Sequence, residues 1–209
     1  MGRSDMGRPA LLVTGFGPFP TMPRNPSATL ATRVATSPRW RVLGVDARGR
    51  VLTTAYAAIG AELDPALRAG PDALVMIGVA GRSHLVRFET RATSRRSVLF
   101  PDAAGETAEL AAAASPATAR RTTVPTAAAL VILRRHGVPA RASRDAGRYL
   151  CNASYFHALG RMPGAVFVHI PKPRSIRPGP RVRRVRTPDE RLAAALVDLA
   201  ILLLGESRR

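Results

Sequence analysis

Apolar residues along the chain fall into two alternating patterns, short unbroken runs and longer stretches at helical spacing. The runs Ala10 to Gly15, Ala73 to Val79 and Val166 to Ile170 have the length and bounding glycine or proline of buried strands. Trp40 to Val45, Arg50 to Thr54 and the alternating Phe88 to Thr93 read as further strands. Helical spacing occupies the intervals. Asn25 caps a helix through about Val34 with Pro26 in its first turn, and a second helix is predicted from Tyr56 to Arg68, stopped by Gly70-Pro71. Ala127 to His136 forms a third, closed by Gly137. Tyr149, Ala153, Phe156 and Leu159 mark a fourth. Thr187-Pro188-Asp189-Glu190 starts a last one that runs to about Leu204.

Strands that alternate with helices predict an α/β fold, a three-layer α/β/α sandwich on a mostly parallel twisted sheet. The 209 residues are read as one domain over 1–209, with 1–9 as a disordered tail and Met6 as a second candidate start. Aromatics are only 5%, so the core must be built from Ala, Val, Leu and Ile. Two stretches resist assignment, the alanine-rich 103–118 and the Pro/Arg-rich 171–186.

Charge widens the list of partners before it narrows it. A formal +18 suits an anionic polymer, but Lys172 is the only lysine and the arginines are scattered from Arg3 to Arg209 without a finger, recognition-helix or RNP pattern. A nucleic-acid partner is therefore disfavoured. No segment reads as a signal peptide or a membrane span, and one cysteine excludes an intrachain disulfide, so a cytoplasmic protein with no membrane contact is expected.

That cysteine lies in Ser143-Arg-Asp145-Ala-Gly147-Arg-Tyr149-Leu-Cys151, where Ser143 and Asp145 are good caps and Gly147 permits an unusual backbone angle. Cys151 is thus expected at a loop-to-helix junction, where unpaired N–H groups and the helix dipole favour a thiolate and an oxyanion. A lone cysteine is more often a small buried hydrophobe, so partners decide the matter. His169 ends a buried strand, and Glu89 follows another; a surface ion pair with Arg87 or Arg91 is the plainer reading of that glutamate. His84, His136 and His157 read as structural, and no set of them has metal-ligand spacing.

These segments, in the order Glu, Cys, His, resemble the pyroglutamyl peptidase I family of cysteine peptidases. The opening Val13-Thr-Gly15-Phe16-Gly17-Pro18-Phe19 with Asn25-Pro26-Ser27 is similar to that family's first strand and loop, and the resemblance runs from about Leu11 to Pro171. It implies removal of an N-terminal 5-oxoproline from small blocked peptides, with Cys151 as nucleophile, His169 as base and then acid, and Glu89 orienting the imidazole. By the same resemblance Phe16, Phe19, Asn25 and Val79 fall in the substrate pocket, no metal or organic cofactor is needed, and the chain assembles as a homo-oligomer, often a tetramer. The sequence departs from the family at Pro20, Val79, Gly81 and Leu99, which concerns specificity more than chemistry. Two alternatives remain: a cysteine amidohydrolase of the same fold with another substrate, and a silent arginine-rich anion-binding protein.

Overall fold

The first apolar run, extended by Phe16, becomes strand β1 (Ala10–Phe16), buried from Leu11 onward because the sheet is covered on both faces. β1 pairs in parallel with β2 (Asp46–Leu52) on one side and β3 (Ala73–Ala80) on the other. β3 pairs in parallel with β8 (Val166–Pro171). There the direction reverses: β4 (Val86–Glu89) runs antiparallel to β8, and β7 (Ala140–Ser143) is parallel to β4. The six-stranded order is β2-β1-β3-β8-β4-β7. A separate pair joins β5 (Arg91–Thr93) to β6 (Ala119–Arg121). The computed structural model describes residues 7–19, 22–97, 99, 101–107, 118–172 and 187–207. The tail before residue 7, Pro20, most of the alanine-rich stretch (108–117) and the Pro/Arg loop from 173 to 186 lie outside the described residues.

Because side chains alternate across a strand, the sheet separates two apolar layers. Val75, Ile77, Phe88, Val168 and Ile170 meet α1 (Pro26–Ala35), α4 (Thr126–Arg135) and α6 (Pro188–Glu206). Leu74, Met76, Phe16 and Phe167 meet α3 (Asp64–Arg68), the π-helical turn Ile59–Leu63 before it, and α5 (Leu150–Arg161). This is the α/β/α sandwich that the alternation predicts. The expected caps at both of its better-marked helix starts are present: Asn25 Oδ1 accepts the Ser27 N–H at 3.1 Å, and Thr187 and Glu190 form a reciprocal capping box.

Several expectations are corrected. Trp40 to Val45 is not a strand but contains α2 (Arg39–Leu43), which Gly44 closes at φ +67°. Trp40 alone of that helix is buried, its Nε1–H donating to the Val34 carbonyl at 2.6 Å, while Val42 is 83% exposed. The strand placed at Arg50 to Thr54 begins earlier, at Asp46. The predicted strand Phe88 to Thr93 divides at Thr90, since Glu89 still pairs with β7 and Arg91 already pairs with Arg121. Ser143 and Asp145 do not cap α5. Ser143 ends β7, Asp145 Oδ1 accepts the Gly147 N–H at 2.9 Å in a local turn, and the cap position of α5 is Tyr149, with no side-chain bond.

Candidate active site

The reversal between β8 and β4 assembles the candidate site. In that antiparallel register Arg87 lies opposite His169 and Glu89 opposite Phe167, so all four side chains share the face covered by α5. His169 Nδ1 is 2.8 Å from Glu89 Oε1, with the carboxylate wholly buried and the imidazole nearly so. The glutamate is therefore no surface residue. Its ion pair with Arg87 also exists, Nε to Oε1 at 2.9 Å, so two readings that the sequence set against each other coexist.

Cys151 is the second residue of α5 and is half-buried. With Nδ1 engaged by Glu89, Nε2 is left for the thiol, which lies close enough to act on the imidazole. Burial pulls the imidazole pKa down, but the bond and charge of Cys151, and then those of Glu89, outweigh it and push it up to about 9. The imidazolium of His169 is thus favoured beside an ionised thiol. Phe167 packs beneath it, ring centroids 4.8 Å apart.

Space for the sulfur comes from a residue that the sequence reading passed over. Gly78 sits beside His169 in the β3–β8 register, and a β-carbon built on it would fall 2.8 Å from Cys151 Sγ. A glycine inside an otherwise apolar strand was the available signal, since it marks a close approach of another group. Two more residues of α5 fix its first turns. Asn152 uses both ends of its amide, accepting from Thr93 N–H and donating to the Thr93 and Arg95 carbonyls, each at 2.8 Å. Buried Tyr155 donates its hydroxyl to the Glu89 carbonyl at 3.0 Å.

The expected pocket residues divide. Phe16 is buried against Phe167, ring centroids 6.4 Å apart, which places it in the same layer as His169. Phe19 is half-buried and bridges Met22. Asn25 donates Nδ2–H to the Gly17 carbonyl at 3.0 Å and accepts the Ser27 hydroxyl at 2.8 Å, tying the loop after β1 to α1. Val79, one residue after Gly78, has its side chain on the opposite face, against the cluster of Ile77 and Ile170. His136 and His157 are structural as expected, each 2.7 to 2.8 Å from a carboxylate, Asp198 and Asp64 respectively. Among the described residues no group of three or more His, Cys, Asp or Glu side chains is arranged to hold a metal, and no helix is long and apolar enough to cross a membrane.

A thiol on a helix start, an imidazole and a buried carboxylate in line, carried by an α/β sheet, define the class of the cysteine peptidases. Comparison with known proteins agrees and is narrower. Residues 10–172 match the model of the family described as pyroglutamyl peptidase, and the chain belongs to that family. The pyrrolidone-carboxylate peptidase of Clavibacter michiganensis subsp. michiganensis is 33% identical over 175 residues, 78% of each chain. That of Gloeobacter violaceus is 33% identical over 168 residues, covering 77% of this chain and 80% of its own. The crystal structure of pyrrolidone carboxyl peptidase from Thermus thermophilus superposes with a TM-score of 0.71 at 30% identity, over 92% of this chain and 98% of that one.

Proposed function

We propose that the protein is a cysteine peptidase that removes an N-terminal pyroglutamyl residue from peptides. The observation that carries this reading is the buried Glu89–His169 contact of 2.8 Å, set next to a thiol that Gly78 leaves room for. His169 draws the proton from Cys151, and the imidazolium so formed is favoured by the ionised sulfur on one side and by Glu89 on the other.

The thiolate of Cys151 attacks the carbonyl carbon of the 5-oxoprolyl residue, forming a C–S bond and an oxyanion. Collapse of that intermediate breaks the C–N bond, and His169 gives its proton to the departing amine. Neutral His169 then takes a proton from water, whose oxygen attacks the thioester. Release of 5-oxoproline returns the sulfur as thiolate and leaves the proton on the imidazole. Oxyanion donors are the N–H groups of 150–152, which precede the first helical bond of α5, Ala153 N–H to the Tyr149 carbonyl. Glu89 fixes the imidazole tautomer. Phe16 and Phe19 are the proposed walls around the lactam ring.

A reducing, cytoplasmic compartment belongs to the same proposal, since a working thiol must stay free. So does assembly with further copies, supported by exposed Val42, Leu43 and Val51 near the edge strand β2. The test is release of a chromophore from a 5-oxoprolyl amide, compared with an unblocked aminoacyl amide, before and after thiol alkylation. Cleavage of the blocked amide alone, lost on alkylation, is the expected result. Equal cleavage of both, or cleavage that survives alkylation, defeats the proposal.

A further inference from the structure

We propose that Arg87 is a positioning residue for the reacting thiol, because its guanidinium completes a line of alternating charge, Arg87, Glu89, His169, Cys151, that keeps the buried site neutral when the thiol ionises. The inference rests on the roles proposed above for Cys151 and His169.

Arg87 stands directly across the ladder from His169, and its Nε approaches the same Glu89 oxygen that faces His169 Nδ1, at 2.9 and 2.8 Å. The approach is an ion pair and not an aligned hydrogen bond, so what the arginine supplies is chiefly charge. Its far end is fixed: Nη2 donates to Ser143 Oγ at 2.8 Å and to the Asp145 carbonyl. Exposed ion pairs contribute little and are easily replaced by water. This one has side chains 19% and 0% exposed, so solvent does not stand in for either partner.

Charge counting gives the consequence. Without Arg87, a carboxylate, an imidazolium and a thiolate sum to one negative charge around a buried carboxylate and imidazole and a half-buried sulfur; with Arg87 they sum to zero. A net charge of low solvation is disfavoured, and the cheapest way to remove it is to put the proton back on sulfur. The other titratable groups facing the line do not cancel this. Burial and then Asp102, Tyr56 and Cys151 hold Tyr149 up at about 12, and burial holds Tyr155 above the usual tyrosine range, so both are neutral near pH 7. Asp145 faces the Gly147 N–H, and Arg91 Nε donates to the Arg144 carbonyl.

The experiment follows the rate of Cys151 alkylation by iodoacetamide against pH in the parent, Arg87→Met and Arg87→Lys, together with kcat and KM on the 5-oxoprolyl amide. Arg87→Met is expected to move the rise in alkylation up by about one pH unit and to cut kcat at neutral pH about tenfold, with KM within about twofold. Arg87→Lys restores at least half of the displacement. A profile for Arg87→Met that overlays the parent overturns the proposal. So does an equal displacement in Met and Lys variants, which assigns packing and not charge. If Arg87→Met does not fold, Ser143→Ala loosens the far end of the guanidinium and is expected to displace the profile the same way by a smaller amount; no displacement is again fatal. Alkylation needs no substrate, so a parent that leaves 5-oxoprolyl amides intact defeats the function proposed above while the charge line is still read.

Discussion

Gly78 and Cys151 touch across two layers of the fold: the missing side chain of one is the space that the sulfur of the other occupies. A β-carbon on Gly78 would also fall 2.8 and 2.9 Å from the edge of the Phe167 ring, closer than real Cβ atoms come. Phe167 has no easy retreat, since it is fully buried and its ring packs against that of His169. Gly78→Ala is therefore expected to slow turnover at least tenfold and to destabilise the fold by about 1–3 kcal/mol. Thermal melting and the alkylation rate of Cys151 check the two effects separately. A variant with the parent's melting temperature and kcat shows that α5 can lift off the sheet at little cost.

Cys151→Ser keeps the volume of the side chain and loses the acidity. The fold should persist and turnover should fall below detection, because an alcohol beside an imidazole is far less ionised than a thiol. Circular dichroism establishes the fold and chromophore release the activity. Retained turnover in the folded serine variant removes Cys151 from the mechanism.

The four histidines should separate into one and three. His169→Ala is expected to be nearly as damaging to turnover as Cys151→Ser, whereas His84→Ala, His136→Ala and His157→Ala leave kcat within a few-fold. His136 and His157 are nevertheless expected to matter for melting. Asp198 binds Arg39, Arg135 and His136, and Asp64 binds Arg68, Arg161 and His157. Burial raises Asp198, but the bonds from His136, Arg39 and Arg135 outweigh it and bring it down to about 2. A depressed carboxylate stabilises above its ordinary pKa of about 4 and loses that contribution as the pH falls toward 2, so His136→Ala should flatten the acid end of a melting-temperature profile.

Glu89→Gln tests the third member through pH. Burial opposes the imidazolium of His169, Cys151 favours it most and Glu89 adds to that, with the result near 9. Loss of the carboxylate should move the alkaline fall of turnover from about pH 9 toward the ordinary histidine value of about 6.5. Stability carries the same sign: a raised group contributes fully below about pH 6.5, and its contribution is lost as the pH rises through 9. The parent should thus lose melting temperature over that interval more steeply than Glu89→Gln. Coincident curves for the two proteins return Glu89 to the role of a partner for Arg87 alone.

How far the sequence carried depends on where each signal lies. β1, β3 and β8 are legible because all of their residues are sheltered, and α1, α4 and α6 because their caps are local chemistry. α2 is hard to read because Trp40 to Val45 is a short run rich in residues that strands favour, although a glycine at 44 is also the usual close of a helix. β7 went unnoticed because only Ala140 and Ser143 of its four residues are buried. The motif residues Glu89, Cys151 and His169 do converge. Val79 does not, because a one-residue step along a strand changes the face, and family position alone gives no parity. Arg87 was seen only as a reason to doubt Glu89, since sequence gives neighbours along the chain and not the depth at which they pair.

Imidazole and carboxylate are carried on adjacent strands whose ladder fixes their separation, whereas the sulfur rides on a helix in another layer. The protein's reactive distance is therefore the thickness of one apolar seam, filled by Phe167, Tyr155 and Leu150. Any solvent, pressure or temperature that swells that seam by a fraction of an ångström uncouples sulfur from nitrogen while every strand and helix is still formed. Activity should thus report the tightness of the interior, and should fade in mild denaturant before the circular dichroism does.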